Sequence, residues 1–330
     1  MVRSLFAIRY SLFASIVSTA LVAAVAAAQS WPPRPVKVLV PFAAGGNIDV
    51  MGRLAASRLS EAFGQQFVVE NRVGGNGVIA TEAVARASPD GTTLLWASTS
   101  VVAIFPAISK VGYDPVQDFA PVSLFGVAPQ VLIANPRFPA QTVADFVAHV
   151  KSQKEKLAYA GGGGPGSASN LIMALFLKRA GLEMTNVSYR GTAPALTDLI
   201  AGHIPTMFVP ISEALPQARA GRIRMLAVSS GTRSREAPEV PTLAEQGFPG
   251  FHMVSWTGLM APAGTPKEIV ERMADELARA LKDAEFVAHM QKAGVEPATD
   301  ASPAAFSAFI GQEIARWAEA VKIAGVTLQQ

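Results

Sequence analysis

Cysteine is absent from this 330-residue chain, which excludes disulfides, thiolate nucleophiles, iron–sulfur clusters and cysteine-based zinc sites. Charged residues are also scarce, at 16% of the sequence against 50% hydrophobic residues. Disordered chains have the opposite balance. The chain is therefore expected to fold, and its length is enough for two globular domains or one large one.

An excess of positive charge is lacking as well. The formal net charge is +3, and it falls to +1 when Arg3 and Arg9 of the N-terminal segment are left out. A protein that binds nucleic acid would instead carry clustered lysine and arginine on one face. The composition gives no reason to expect a nucleic-acid partner.

A long apolar run free of charge occurs near the N-terminus. Two arginines precede the apolar residues 12–24, and Ala26-Ala27-Ala28 then provides the small residues that a signal peptidase requires. A membrane anchor would need about 20 apolar residues and usually bulkier ones. Residues 1–28 are therefore predicted to be a signal peptide, cleaved near Ala28. The mature protein is expected to be exported to the periplasm and not to span the membrane.

The remaining chain alternates short apolar runs with helical patterns. The run VKVLV at 36–40 is typical of a buried parallel strand, and it is followed by a glycine-containing loop. A helix with Met51, Leu59 and Phe63 on one stripe comes next and stops at Gly64. The same order of strand, glycine loop, helix and glycine stop recurs from Leu157 onward. Repeated β–α–β units predict two similar α/β lobes, each with a mainly parallel sheet flanked by helices.

Ligands in open α/β sheets bind beyond the carboxyl ends of the strands, where the loops enter the helices. Glycine lets the backbone approach a ligand closely, and the first N–H groups of a helix carry partial positive charge. Two such loops that face each other would hold a carboxylate or a phosphate without any arginine. The loops at these positions are 42–49, 71–77, 98–100, 161–170 and 190–192.

Motifs for catalysis, cofactors and metals are weak or missing. The segment 161–166 formally matches the GxGxxG dinucleotide fingerprint, but Pro165 lies inside the turn and Arg190 follows the next strand where an acidic residue is required. There is no GxSxG motif, and none of the four histidines is spaced as a metal pair. Asp49 is interpreted as a helix cap or a ligand contact rather than a catalytic acid. We therefore predict neither an enzyme nor a cofactor nor a metal site.

Several motifs stand in the order that a known receptor family shows. They are VPFAAGG at 40–46 with Asp49, ENR at 70–72 with Gly74, Gly75 and Gly77, Gly166-Ser167, YRGTAPA at 189–195 with Asp198-Leu199, Met207-Phe208, VPTLAE at 240–245, and WxGLxAPAGTP at 256–266. On these motifs the chain resembles the Bug family, the extracytoplasmic solute receptors of tripartite tricarboxylate transporters.

The resemblance implies a two-lobed Venus-flytrap fold of the periplasmic binding protein type. Lobe 1 would consist of residues 31–132 and 253–330, and lobe 2 of residues 133–252. A small carboxylate would bind between the lobes, held largely by loop backbone groups and bridging waters, and would be passed to the membrane subunits of the transporter. A sensor that reports ligand to a membrane signalling protein shares these sequence features and stays an alternative, as does an exported α/β enzyme.

The loops and the resemblance together give the candidate ligand-binding residues. Two of them depart from the family pattern: Asn170 stands where histidine is usual, and Val209 where many members have Asp or Asn. We expect Ser167 and Asn170 to face the mouth of the cleft, and Val209 to suit an uncharged or aromatic ligand tail. The full set is Phe42, Ala43, Ala44, Gly45, Gly46, Asp49, Ser98, Gly162, Gly163, Gly164, Ser167, Asn170, Arg190, Gly191, Thr192 and Val209.

Overall fold

The computed structural model describes residues 31–162, 166–189 and 191–326. The predicted signal peptide therefore lies outside the described residues, as do three of the candidate ligand contacts, Gly163, Gly164 and Arg190. In the part of the chain that is described, no helix combines the length and the apolar character needed to cross a membrane.

Strands and helices alternate along the described chain. The strands are β1 (Val36–Val40), β2 (Phe67–Asn71), β3 (Thr93–Ser98), β4 (Phe119–Ala134), β5 (Ala158–Gly162), β6 (Thr185–Tyr189), β7 (Thr206–Pro210), β8 (Arg224–Val228), β9 (Val254–Pro262) and β10 (Glu296–Pro297). The helices are α1 (Asn47–Phe63), α2 (Val78–Ala85), α3 (Phe105–Ile108), α4 (Val143–Ser152), α5 (Ala168–Ala180), α6 (Thr192–Ala201), α7 (Ile211–Arg219), α8 (Lys267–Ala280), α9 (Ala284–Lys292) and α10 (Pro303–Ala324). A π-helical turn, Ser100–Ile104, leads into α3.

The strand order across the sheet is β2-β1-β3-β9-β4-β7-β5-β6, with β8 and β10 also paired to β4. Strands β1, β2 and β3 are mutually parallel neighbours, and so are β5, β6 and β7. Strands β4 and β9 run antiparallel to their partners. Each lobe thus has three parallel strands, to which β4 or β9 adds an antiparallel neighbour. The chain crosses to the second lobe along β4 and returns along β9, and these opposite directions impose the antiparallel pairing.

Strand β4 belongs to both sheets. Its first part pairs with β9 as far as Pro129, and its last residues, Gln130 to Ala134, pair with β7. Sixteen residues of strand span roughly 53 Å, which is enough to cross two adjoining sheets. The continuous apolar run Val131-Leu132-Ile133 lies at the end of this strand.

Two of the four apolar clusters among the described residues show how the helices pack on the sheets. In the first, Met51 and Leu59 of α1 pack with Met273 and Leu277 of α8 around Trp96. These side chains are completely buried. The second cluster joins α4 and α5 to β7 and β8 and includes the rings Phe146, Phe176, Phe208 and Phe251. The second cluster also includes Ile104, Phe105 and Ile108 of the π-helical turn and α3, so it extends beyond the elements of lobe 2.

The last helix, α10, contacts both lobes. Phe306 and Ile310 in its first half pack with Trp256 of β9, whereas Trp317 and Val321 in its second half join the second cluster against α5. Twenty-two residues of helix extend about 33 Å, which accounts for this reach. The sequence prediction assigns all of 253–330, and hence α10, to lobe 1. The lobe boundaries themselves stay a prediction.

Candidate ligand-binding site

The first candidate loop, 41–46, connects the carboxyl end of β1 to the start of α1. Phe42 is half-buried, and Ala43, Ala44, Gly45 and Gly46 are exposed. Gly45 has a φ of +85°, a conformation that glycine adopts without strain. Gly45 therefore allows a sharp turn that leaves the backbone of residues 43–46 exposed.

Asp49 holds the loop in place from below. Its Oδ2 accepts hydrogen bonds from the Gly45 N–H at 2.8 Å and from Arg53 Nε at 3.0 Å. Its Oδ1 accepts from Asn71 Nδ2 at 2.8 Å, and the same amide group donates to the Phe42 carbonyl at 2.9 Å. Asn71 is the last residue of β2 and lies opposite Val40 in the parallel pairing, which is why it reaches the loop.

These contacts also set the charge of the carboxyl group. Burial alone would raise the pKa of Asp49, but the hydrogen bonds from Arg53, Gly45 and Asn71 outweigh it, and the pKa lies below its ordinary value. The residue is 2% exposed and its two oxygens are occupied within the protein. Asp49 therefore positions the candidate loop through internal hydrogen bonds, and a direct contact with a ligand stays a prediction.

The loop backbone keeps donors available. Among the described residues, no acceptor takes the N–H groups of Ala43, Ala44 or Gly46. Gly46 is the N-cap of α1, and no side chain caps this helix start. The exposed N–H groups and the positive end of the helix dipole together make this loop suitable for an anion.

Ser98 lies at the carboxyl end of β3, beside the same helix start. It is 2% exposed, and its hydroxyl has no hydrogen-bond partner in the described chain. It borders a small cavity of about 70 Å³. The other residues lining this cavity come from the start of α1, the end of β3, β4, β9 and the approach to β10: Asn47, Ile48, Thr99, Ser100, Gly126, Ala128, Ser255, Trp256, Thr257 and Val295. The cavity thus brings Ser98 beside Asn47 and Ile48, the first two residues of α1, whereas the loop 41–46 does not line it.

In the second lobe, Asn170 stands at a position in its helix that corresponds to that of Asp49 in α1. Asn170 is the third residue of α5, as Asp49 is of α1, and its Oδ1 accepts from Asn186 Nδ2 at 2.9 Å and from the Tyr159 hydroxyl at 3.3 Å. A Cβ on Gly161 would lie 2.4 Å from the Asn186 amide oxygen, so this packing requires glycine. Asn170 is 3% exposed. Its amide oxygen faces β5 and β6, and not the cleft mouth where we expected it.

Ser167 and Thr192 lie at the starts of the two helices beside this loop. The Ser167 hydroxyl caps α5 by accepting from the Asn170 N–H at 3.3 Å. Thr192 begins α6 after Gly191, whose φ is +138°, and it packs against Gly162 so closely that an added Cβ there would lie 2.9 Å from its methyl group. The structure therefore places Ser167, Gly162 and Thr192 around one end of β5.

Val209 occupies a different environment from the one expected. It lies in β7 opposite Val131, is completely buried, and packs in the apolar cluster formed by β4, α6 and α7. Its side chain contributes to the core of the second lobe. Alternation along a strand sends neighbouring side chains to opposite faces, and the sequence alone did not reveal which face Val209 occupies.

Two further polar residues near the cleft escaped the sequence interpretation. Glu213 lies in the first turn of α7, where burial raises the pKa of its carboxyl and the hydroxyl of Thr192 partly opposes that shift. Gln130, 3% exposed, joins the two sides of the cleft: Ser169 Oγ donates to its Oε1 at 2.9 Å, and its Nε2 donates to Ser255 Oγ at 3.4 Å. Neither residue carries a sequence signal, because each gains its surroundings from distant parts of the chain.

The comparisons with known proteins agree with this geometry. Residues 51–326 match the profile of the tripartite tricarboxylate transporter family receptor. The chain belongs to this family. Protein BugT of Bordetella pertussis is 35% identical over 318 residues, which cover 95% of this chain and 96% of BugT.

Solved structures of tripartite tricarboxylate receptors have the same fold. The structure of R. palustris Rpa4515 with adipate has 36% identity and a TM-score of 0.79, and the match covers 90% of this chain and 99% of that one. MatC from Rhodopseudomonas palustris with bound malate has 33% identity and a TM-score of 0.75, over 88% of this chain and 100% of that one.

Membership of the family defines the role of the fold. Tripartite tricarboxylate receptors are periplasmic solute-binding proteins that serve a transporter, and this protein is such a receptor and not an enzyme. The two-lobed arrangement seen here is the one that these receptors share.

Proposed function

We propose that this receptor captures a small carboxylate in the cleft between the lobes and holds one carboxylate group mainly through backbone N–H groups. The main support for the proposal is that the first loop has N–H donors without an internal partner, while the acidic side chain beside them is fully hydrogen-bonded. Asp49 is saturated within the protein, whereas the N–H groups of Ala43, Ala44 and Gly46 and the hydroxyl of Ser98 have no partner among the described residues.

The charge of the loop supports the same interpretation. Residues 41–49 contain no lysine and no histidine or arginine, so the negative charge of a ligand would be balanced by N–H donors and the start of α1. A buried hydroxyl without a partner costs about 1–3 kcal/mol, and a ligand oxygen at Ser98 would remove that cost. Two related proteins were solved with small carboxylates, adipate in one and malate in the other.

The ligand contacts that we propose are fewer than the sequence suggested. In lobe 1 they are the loop 43–46 and Ser98, and in lobe 2 they are Gly162, Ser167 and Thr192. Phe42, Gly163, Gly164, Arg190 and Gly191 stay candidates on the strength of their position in the sequence. Asp49 and Asn170 would act indirectly, by fixing the two loops.

We also propose the route by which the receptor reaches its place of action. Residues 1–28 would direct export and be removed near Ala28, and the mature receptor, with lobes 31–132 plus 253–330 and 133–252, would deliver its ligand to the membrane subunits of a tripartite transporter. Mass spectrometry of the mature N-terminus after expression in a Gram-negative host tests the cleavage site.

The ligand class is tested first by mass spectrometry of small molecules released from the purified receptor, then by calorimetry with aliphatic mono- and dicarboxylates. We expect the free acids to bind and their methyl esters to bind at least tenfold more weakly, because an ester lacks the charge that the N–H groups hold. Equal affinity for acid and ester would contradict the proposal.

A pair of serine variants localises the site. Ser98→Ala should weaken binding by about 1–2 kcal/mol, the scale of one lost hydrogen bond. Ser152→Ala serves as the matched control, because that hydroxyl bonds to the His149 carbonyl in exposed helix α4. If both variants bind like the wild type, Ser98 does not contact the ligand.

A further inference from the structure

A polar pocket lies away from the ligand cleft, at the opposite end of α5. This helix starts beside Ser167 in the glycine loop, and Arg179 lies in its last turn, about 18 Å further along the axis. The pocket is lined by the end of α5, the segment 250–253 and the second half of α10, and its volume is about 170 Å³. Because 250–253 leads into β9 and α10 contacts both lobes, the pocket lies where the chain crosses between them.

Arg179 presents a positive charge to this pocket. Its guanidinium carbon lies 5.4 Å from the centre of the buried Phe251 ring. Stacking on a ring uses the face of the guanidinium and leaves the N–H groups at its edge available. In the described chain, no carboxylate forms an ion pair with Arg179.

His252 and Arg316 add further donors. The Gly231 N–H donates to His252 Nδ1 at 2.7 Å, which leaves the proton of the neutral ring on Nε2. Burial and the nearby Arg316 lower the pKa of His252, so the neutral ring is favoured. Arg316 uses one Nη in an ion pair with buried Glu313 and keeps its other N–H groups.

One acid opposes these donors. Of the described residues that line the pocket, Glu319 is the acidic one. It is exposed and forms no ion pair with either arginine there. Its position at the rim leaves the interior of the pocket to the donors. A negatively charged guest would therefore be attracted by Arg179 and weakly repelled by Glu319.

We propose that this pocket is a second binding site, which takes a small oxyanion, a phosphate or a carboxylate, between Arg179, Arg316 and the Nε2–H of His252. Guanidinium groups match the geometry of both anions through paired N–H donors. An anion there would bridge α5, the crossover segment 250–253 and α10, and so would stabilise the present arrangement of the two lobes.

Calorimetry on the mature receptor at constant ionic strength tests the site, with inorganic phosphate and acetate as separate probes. We expect saturable binding in the low-millimolar range, weakened about tenfold by Arg179→Gln and tightened about threefold by Glu319→Gln. His252→Asn retains an acceptor for the Gly231 N–H but removes the Nε2 donor, and it should also weaken binding. The two probes show which oxyanion the site prefers.

Lys178→Gln is the matched control, because it removes the same charge from the same turn of α5 without lining the pocket. It should change the affinity by less than about twofold. Ser98→Ala should leave this binding unchanged, which separates the pocket from the cleft. No saturable binding below about 20 mM, or equal losses in Lys178→Gln and Arg179→Gln, would overturn the proposal.

Discussion

The hydrogen bonds of Asp49 beneath the first loop, here called the brace, give the most specific prediction. In Asp49→Asn, an amide group replaces one of two oxygens that accept from Gly45, Arg53 and Asn71, so a donor would face a donor in a buried setting. Charge-assisted hydrogen bonds contribute about 1.5–3 kcal/mol each, although Arg53 is half-exposed and its share is small. We expect a loss of about 2–4 kcal/mol in the free energy of unfolding.

The same variant tests the electrostatics of the brace through pH. Because the folded pKa of Asp49 lies below its ordinary value of 3.8, the stability that its ionised form contributes is present above that value and is lost as the pH falls through the folded pKa. The difference in unfolding free energy between wild type and Asp49→Asn should therefore be constant from about pH 5 to 8 and should shrink below about pH 4.

Urea denaturation across that pH range measures this difference, and calorimetry at pH 7 should show ligand affinity reduced roughly tenfold as the loop loosens. Asp275→Asn, a change on the exposed surface of α8, is the control and should unfold like the wild type. If Asp49→Asn is as stable as the wild type at pH 7, or if its deficit persists undiminished at pH 3, the brace does not work as described.

Two other variants probe the packing of α10 on β9 and the hydrogen bonds of Gln130 between the lobes. Gly258→Ala should lower the free energy of unfolding by at least about 2 kcal/mol in urea denaturation, because an added Cβ would lie 2.6 Å from the Phe306 ring and 2.6 Å from a backbone carbonyl oxygen. Wild-type stability would show that α10 can shift at little cost. Gln130→Ala should weaken ligand binding about tenfold in calorimetry, because it removes the amide that joins Ser169 to Ser255 and leaves the proposed ligand contacts in place. Unchanged affinity would mean that this link does not support the cleft.

The elements that the sequence predicted best are those determined by local signals. The stripe along α1 and its end at Gly64, which adopts a left-handed conformation with a φ of 62°, gave the helix almost to the residue. Strand β4 has no continuous strand pattern, because Pro121, Gly126 and Pro129 interrupt it, and the sequence analysis does not predict β9. Both strands are stabilised by partners far away in the chain.

The same distinction between local signals and distant partners applies to the candidate site. The Ser167 cap of α5 depends only on neighbouring residues, since the hydroxyl accepts from the N–H of Asn170 three positions later. The part played by Asp49 depends on Asn71, and that of Asn170 on Asn186, across parallel strand pairs that no local pattern specifies. Val209 was misplaced for the same reason, because its burial depends on the helices that cover β7.

Strand β4 has a consequence for any attempt to divide the receptor. A fragment that ended before Gln130 would lack β9, the partner of the first part of β4, and one that began at Gln130 would deprive β9 of that same partner. Either cut exposes a row of unpaired backbone groups at a sheet edge, which favours aggregation. The lobes are thus halves that complete each other, and the whole chain should unfold in one cooperative transition rather than two.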